Sequence, residues 1–243
     1  MNFHVITLFP EMFSSYLNES ILGRAIKDKK IKITFINPRK FVSGKYKKVW
    51  PDGNMSLQID ERPYAGGPGM VMMAEPIIKA VESVLKLIKN YELRITNKKS
   101  KNKNQKVKIL IINFVPSAEK FTTTSAKNYS KKYTDIVLIC GRYEGIDARV
   151  DKILKTKKLS IGDYILTGGE IPAMVLIDSI SRQIEGVLGN FDSREEERIS
   201  SSETYTRPEI LIHNNRKYKV PAVLLSGNHK KIDEWKSVKK LDK

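Results

Sequence analysis

Residues 108–147 read KILIINFVPSAEKFTTTSAKNYSKKYTDIVLICGRYEGID. Two continuous apolar runs, KILIINF at 108–114 and DIVLIC at 135–140, bracket a stretch with helical character at 121–133. An apolar run without alternation suits a strand covered on both faces, which is the place of a central strand in a parallel sheet. The flanking sequence repeats the theme. FHVITLF (3–9) and IKITFIN (31–37) are two further strands, joined by a helix from Pro10 to about Lys29 that carries Met12, Phe13, Tyr16, Leu17, Ile21, Leu22 and Ile26 on one face. AEPIIKAVESVLKLIKN (74–90) is an amphipathic helix with the stripe Ile77, Ile78, Val81, Val84, Leu85 and Ile88. IGDYILTG (161–168) reads as a strand or a loop. IPAMVLIDSISRQI (171–184) is apolar nearly all round, which suits deep burial or a subunit interface. Strands alternating with helices imply an α/β fold with an open, mostly parallel sheet.

The chain has 243 residues, with 44 Lys+Arg against 27 Asp+Glu, a net charge of +17. That excess is uneven. Residues 24–48 carry ten basic residues and one acidic, and 216–243 carry nine and three. Both point to a polyanion such as nucleic acid. Residues 94–108 (RITNKKSKNKNQKVK) carry seven basic residues and no acidic one, but a Lys/Asn run of this kind reads equally as a solvated loop. No apolar run approaches the about 20 residues needed to cross a bilayer. The N-terminus lacks the features of a secretory signal. A single cysteine, Cys140, excludes an internal disulfide and fits a reducing cytoplasm. Three scattered histidines form no metal-ligand cluster.

Three glycine-bearing segments stand out: YAGGPGM (64–70), GRYEGID (141–147) and IGDYILTGGE (161–170). The last two follow apolar strands, where open α/β sheets place their ligands. Neither a dinucleotide fingerprint nor a P-loop is present, and no nucleophile elbow exists. Glu144, Asp147, Asp163, Glu170 and Asp178, with Arg142, Arg149 and Arg182, offer bases and charge stabilisers near these loops. From Gly189 to Glu203 the sequence reads as a linker, and a short basic tail follows it.

YAGGPGM, ICGRYEGID, SIGDYILTGGEIPAMVLIDSISRQIEGVLGN, YTRPE and VPAVLLSGNH resemble, in order and spacing, the bacterial tRNA (guanine-37-N1)-methyltransferases, of the SPOUT class of knotted methyltransferases. The resemblance covers about residues 1–238. It implies a deep trefoil knot in the C-terminal half of the α/β domain, a feature that strand and helix patterns do not predict. It implies a SPOUT domain at 1–188, a flexible linker at 189–203 and a small, shortened helical tRNA-binding domain at 204–243. It further implies a cytoplasmic homodimer with the active site at the subunit interface and the anticodon stem-loop of tRNA as substrate. The implied cofactor is S-adenosylmethionine, and the sequence is silent on help from Mg²⁺.

The matched cofactor positions are Pro116, Gly141, Tyr143, Glu144, Gly145, Ile161, Gly162, Asp163, Tyr164, Ile165, Leu166, Gly168 and Gly169, and the matched substrate positions are Gly67, Glu144 and Arg207. Methylating N1 of guanine requires loss of the N1 proton, with charge developing on O6, so a carboxylate base and a cation form the minimal pair. The resemblance assigns these roles to Glu197 and Arg182. Some positions depart from the family pattern. Glu197 stands where the family has Asp, and Val115-Pro116-Ser117-Ala118 replaces S-P-Q-G. The linker is about four residues shorter, the C-terminal domain stops at Lys243 before the family's last helical stretch, and a Lys/Asn-rich insertion occupies 95–106. Two other readings stand beside this one: ribose 2′-O-methylation by the same class of fold, and a non-catalytic RNA-binding protein.

Overall fold

In the order of the chain, β1 (Asn2–Ile6) leads into a 3₁₀ turn at Pro10–Phe13, α1 (Ser14–Leu17), α2 (Ser20–Lys27) and β2 (Lys32–Ile36). Short strands β3 (Lys47–Val49), β4 (Met55–Leu57), β5 (Asp60–Glu61) and β6 (Val71–Met72) precede α3 (Ala74–Asn97). Then come β7 (Ile109–Phe114), α4 (Thr123–Lys132), β8 (Asp135–Ile139), α5 (Arg149–Leu154), β9 (Lys157–Leu159) and α6 (Glu170–Ser181). These lie in a compact unit spanning Met1–Leu188. The structure is a computed structural model and describes residues 1–51, 53–64, 66–97, 107–188 and 203–238, of which 91–97 by backbone alone.

The central sheet has the order β2-β1-β8-β7-β9, and every pairing in it is parallel. Its middle strand β8 is buried throughout, as its continuous apolar run requires. Alternate residues of β8 and the residue after it serve different layers. Ile136, Leu138 and Cys140 pack with Phe13, Leu17, Leu22, Ala126, Leu176 and Ile180 on one face. Val137 and Ile139 pack with Ile77, Val81, Val84, Ile88 and Val150 on the other.

Several expectations are corrected. The helix from Pro10 to Lys29 is broken between Leu17 and Ser20, where the Asn18 carbonyl sits so close that a Cβ on Gly23 would lie 2.4 Å from its oxygen. Of the two alternatives for 161–168, strand or loop, the structure shows the loop, with one isolated bridge at Gly168. Of the two alternatives for the apolar helix at 170–181, deep burial all round is corrected, because Ile171 and Val175 are exposed while Ala173, Leu176, Ile177 and Ile180 are buried. The elements of this unit that escaped the sequence reading are α5, the sheet strand β9 and the short strands β3, β4, β5 and β6, which lie in and beside a stretch, Pro38 to Met70, that reads as a Gly/Pro-rich loop.

A second compact unit spans Gly189–Lys243. The resemblance implies a helical domain here, and the described part holds a strand pair beside its helices. An antiparallel hairpin of β10 (Ile210–His213) and β11 (Arg216–Lys219) precedes α7 (Ala222–Leu225) and α8 (His229–Val238). Asn214 and Asn215 both take positive φ at its tip, the requirement of a two-residue hairpin turn. Tyr205 and Trp235 meet at 6.2 Å between ring centroids.

Candidate active site

All five strands of the parallel sheet end at one edge, so the loops that follow β7, β8 and β9 converge there. Between them lies a cavity of about 420 Å³. Such a place, outside the carboxyl ends of the strands, is where open α/β sheets bind their ligands. Pro116, Gly141, Tyr143, Glu144, Gly145, Ile161, Gly162, Tyr164, Ile165, Leu166, Gly168 and Gly169 all line it.

Backbone pairing holds the loops in place. The segment after β9 first runs beside the β7 loop, through a bridge between Lys120 and Ser160. It then turns back to the end of β8, where the Gly169 N–H donates to the Gly141 carbonyl at 2.9 Å. A Cβ on Gly169 would lie 2.6 Å from the Cys140 Cα, so only glycine permits this approach of two backbones. On the other flank, β6 pairs with the loop after β8. The Met72 N–H donates to Gly145 at 2.9 Å, and the Asp147 N–H donates back to Met72 at 3.0 Å. Gly145 has a φ of 116°, which a side chain would resist.

The structure separates the candidate charges by their partners. Glu170 is 1% exposed, accepts from the Thr7 hydroxyl at 2.9 Å and lies 3.0 Å from Arg142 Nε. That N–H is not aligned for a hydrogen bond, so the contact is an ion pair. The Arg142 guanidinium also stacks on Phe9, 4.7 Å from the ring centroid. A Cβ on Gly168 would collide with this pair, 2.5 Å from Arg142 Nε. Arg142 and Glu170 therefore form the cavity's floor support. Asp147 is held by Arg149 at 2.6 Å, and that hydrogen bond keeps its carboxyl below the usual carboxylate range. Asp178 accepts from the Tyr16 hydroxyl, which pushes the phenol up to about 12. Asp163 lies outside the cavity lining and pairs with Lys120 at the surface, so it is not brought together with the rest.

Two carboxylates remain in the cavity wall, Glu144 and Asp151. Asp151 is a residue the sequence did not single out. Asn113 donates to its Oδ1 at 2.9 Å, Thr156 donates to the same oxygen, and Lys158 Nζ lies 3.0 Å from Oδ2. Burial pushes the Asp151 carboxyl up, but these hydrogen bonds and the Lys158 charge outweigh it and hold the carboxyl below its usual value. Asn113 and Lys158 line the cavity as well. An acid, a lysine and an asparagine spaced along α5, β9 and β7 have no sequence signature, because only the sheet order unites them. Cys140 is buried beneath, and burial with the nearby Glu170 pushes its thiol well up, which leaves it inert.

Arg182 follows α6, half-buried, its N–H donating to the Asp178 carbonyl at 3.0 Å. It is not among the cavity-lining residues. Gly67 also lies off the cavity. Its φ of 97° accounts for the glycine, since a Cβ there would meet nothing. Arg207 is exposed in the second unit, and Glu197 lies outside the described residues. Among the described residues no three His, Cys, Asp or Glu are grouped to hold a metal, and no helix is long and apolar enough to cross a membrane.

Comparison with known proteins adds to this geometry. The family model described as tRNA (Guanine-1)-methyltransferase TrmD matches residues 1–243. The chain is 42% identical to the tRNA (guanine-N(1)-)-methyltransferase of Clostridioides difficile, an alignment covering 97% of this chain and 90% of that protein. The enzyme of the same name from Carboxydothermus hydrogenoformans is 42% identical, with 99% and 83% covered. That of Buchnera aphidicola subsp. Schizaphis graminum is 41% identical, with 99% and 81% covered.

Proposed function

The chain belongs to the tRNA (guanine-1)-methyltransferase family, and from that premise we propose that it transfers the methyl group of S-adenosylmethionine to N1 of guanine-37 beside the tRNA anticodon. The observation that carries the reading is the cavity at the ends of β7, β8 and β9, in a chain of this family. Its residues fit the donor. A purine needs apolar walls and backbone polar groups, which Ile161, Tyr164, Ile165 and Leu166 supply around glycine-flanked backbone. An amino-acid end group carries an ammonium and a carboxylate, for which Glu144 or Asp151 and Lys158 are the matching charges. When bound, S-adenosylmethionine supplies an electrophilic methyl on a sulfonium.

The remaining chemistry belongs to the chain and its substrate. The Glu197 carboxylate takes the proton from guanine N1, and the Arg182 guanidinium offsets the negative charge that develops on O6. Glu144 and Gly67 border the path of the guanine, and Arg207 contacts the tRNA backbone. Two copies of the chain share the site. The support for this is the exposed apolar face of Met12, Tyr16, Ile171 and Val175. A trefoil knot through the 160–169 segment is part of the reading, supported by its return from β9 to Gly141. The enzyme works in the cytoplasm, where its tRNA substrate is found.

The test is product analysis. Incubated with labelled donor and an unmodified tRNA transcript, the protein should yield 1-methylguanosine at position 37. Arg182→Ala and Glu197→Gln should lower the rate by at least a hundredfold while leaving donor binding intact. Full activity in Glu197→Gln would remove it as the base, and a methyl on ribose would replace this reading with 2′-O-methylation.

A further inference from the structure

We propose that the tip of the β3–β4 hairpin is an RNA-contact platform, on which Trp50 stacks against an unpaired base while Lys45, Lys47 and Lys48 engage the neighbouring phosphates. The inference rests on the tRNA reading above and extends it to a surface outside the cavity.

The hairpin is ordered at its base and bare at its tip. Tyr46 and Leu57 pack against the core that includes Ile59, which is 1% exposed, and the Gln58 N–H donates to the Tyr46 carbonyl at 3.0 Å. At the tip, Trp50 donates to Asn54 at 2.8 Å and its own carbonyl accepts from Gly53 at 2.9 Å. Gly53 turns the chain with a φ of 82°. The backbone is therefore preorganised, yet Val49 is 63% exposed and Trp50 and Met55 are each 55% exposed. An indole presented to water on a closed turn is a ready partner for an aromatic ring.

The charges indicate which partner. The register pairs Lys48 with Ser56 and Val49 with Met55. Period-two alternation thus sets Lys48 and Trp50 on one face, roughly 7 Å apart. Residues 45–50 hold three lysines and no carboxylate, at the end of the 24–48 segment with its ten basic residues and one acidic. Between Trp50 and Asn54 the sequence holds one acid, Asp52. A base stacked on indole with cations beside it is the pattern of single-stranded nucleic-acid binding. A second copy of this chain would bring the same lysines against one another, which disfavours that occupant. The hairpin also hangs from the cavity's own backbone. It continues into β5, which pairs with β6, and Met72 of β6 bridges to Ile146 in the loop after β8.

The experiment uses the full chain. Trp235→Phe leaves Trp50 as the one tryptophan of the two in the sequence, and titration with an unmodified tRNA transcript should quench its emission. In the otherwise native chain, Trp50→Ala should weaken tRNA binding about tenfold, raising KM for tRNA with kcat and donor affinity unchanged. Lys47→Gln with Lys48→Gln should reduce the slope of log affinity against log salt by about one. Unchanged emission, or a Trp50→Ala affinity for tRNA within twofold of the native chain, would overturn the platform. So would conversion of a dimer to a monomer by Trp50→Ala, which would assign the surface to a second copy. Quenching and weakened binding without methyl transfer would leave the platform standing and bring down the catalytic reading instead.

Discussion

The cavity loops and the β3–β4 tip are both irregular backbone built around glycine, yet they are held in opposite ways. Around the cavity, every turn leans on another strand's loop: Gly169 on Cys140, Gly168 on Arg142 and Glu170, and Gly145 on Met72. At the tip, a Cβ on Gly53 would meet nothing within 4 Å, and the large side chains face water. A ligand that must be positioned to react is served by the first construction. A long, charged substrate that need only be gripped is served by the second. Changes at the packed glycines and buried charges around the cavity should cost stability and chemistry together, whereas changes at the tip should cost affinity alone.

The sharpest break in this contrast is Glu170→Ala. It leaves the Arg142 guanidinium without its buried partner and should lower the unfolding free energy by about 4 kcal/mol, read from urea denaturation. Gly169→Ala comes next. Its Cβ meets backbone that cannot swing away, so a loss of about 3 kcal/mol and of donor binding is expected in calorimetry.

Acid should act on the sheet and the cavity rim together. Burial pushes the Asp135 carboxyl up, but hydrogen bonds from His4, Thr134 and Asn2 hold it below its ordinary value of 3.8, and Asp151 behaves likewise. With both values depressed in the folded state, the unfolded chain takes up protons first as pH falls. Their stabilisation is complete above about pH 5 and is lost as pH drops through the folded values. The urea midpoint should therefore stay level from pH 7 to 5 and fall below about pH 4, with a shallower fall in Asp151→Asn. Smallest is the effect of Trp50→Ala on folding. The unfolding free energy should change by less than about 0.5 kcal/mol, since the side chain is exposed.

These contrasts also explain what could be read from residues alone. Strands β7 and β8 were legible because both of their faces are covered, leaving Asn113 and Asp135 as the single polar residue in each strand. Strand β9 was not, because Lys157–Leu159 pairs on one side only and spends two of its three positions on lysine. Helix α5 is too short for a periodic stripe. The hairpin of the second unit carried a signal, the Asn214-Asn215 pair between ILIH and RKYK, that a helical reading passed over. At the cavity, the glycine loops announced themselves through spacing. Asp151 and Lys158 did not, since a carboxylate on one turn of helix reads as a solvated charge until the sheet order brings Asn113 beside it.

The central claim, that the loops after β7, β8 and β9 seat the methyl donor, is tested most directly by titrating S-adenosylmethionine into the purified chain and into Ile165→Asp. Ile165 lines the cavity but is 85% exposed, so its replacement should leave the melting temperature unchanged. The account predicts one donor site per chain in the native protein and at least tenfold weaker binding in the variant. Equal affinity in the two proteins, or no binding to the native chain at millimolar donor, would contradict it.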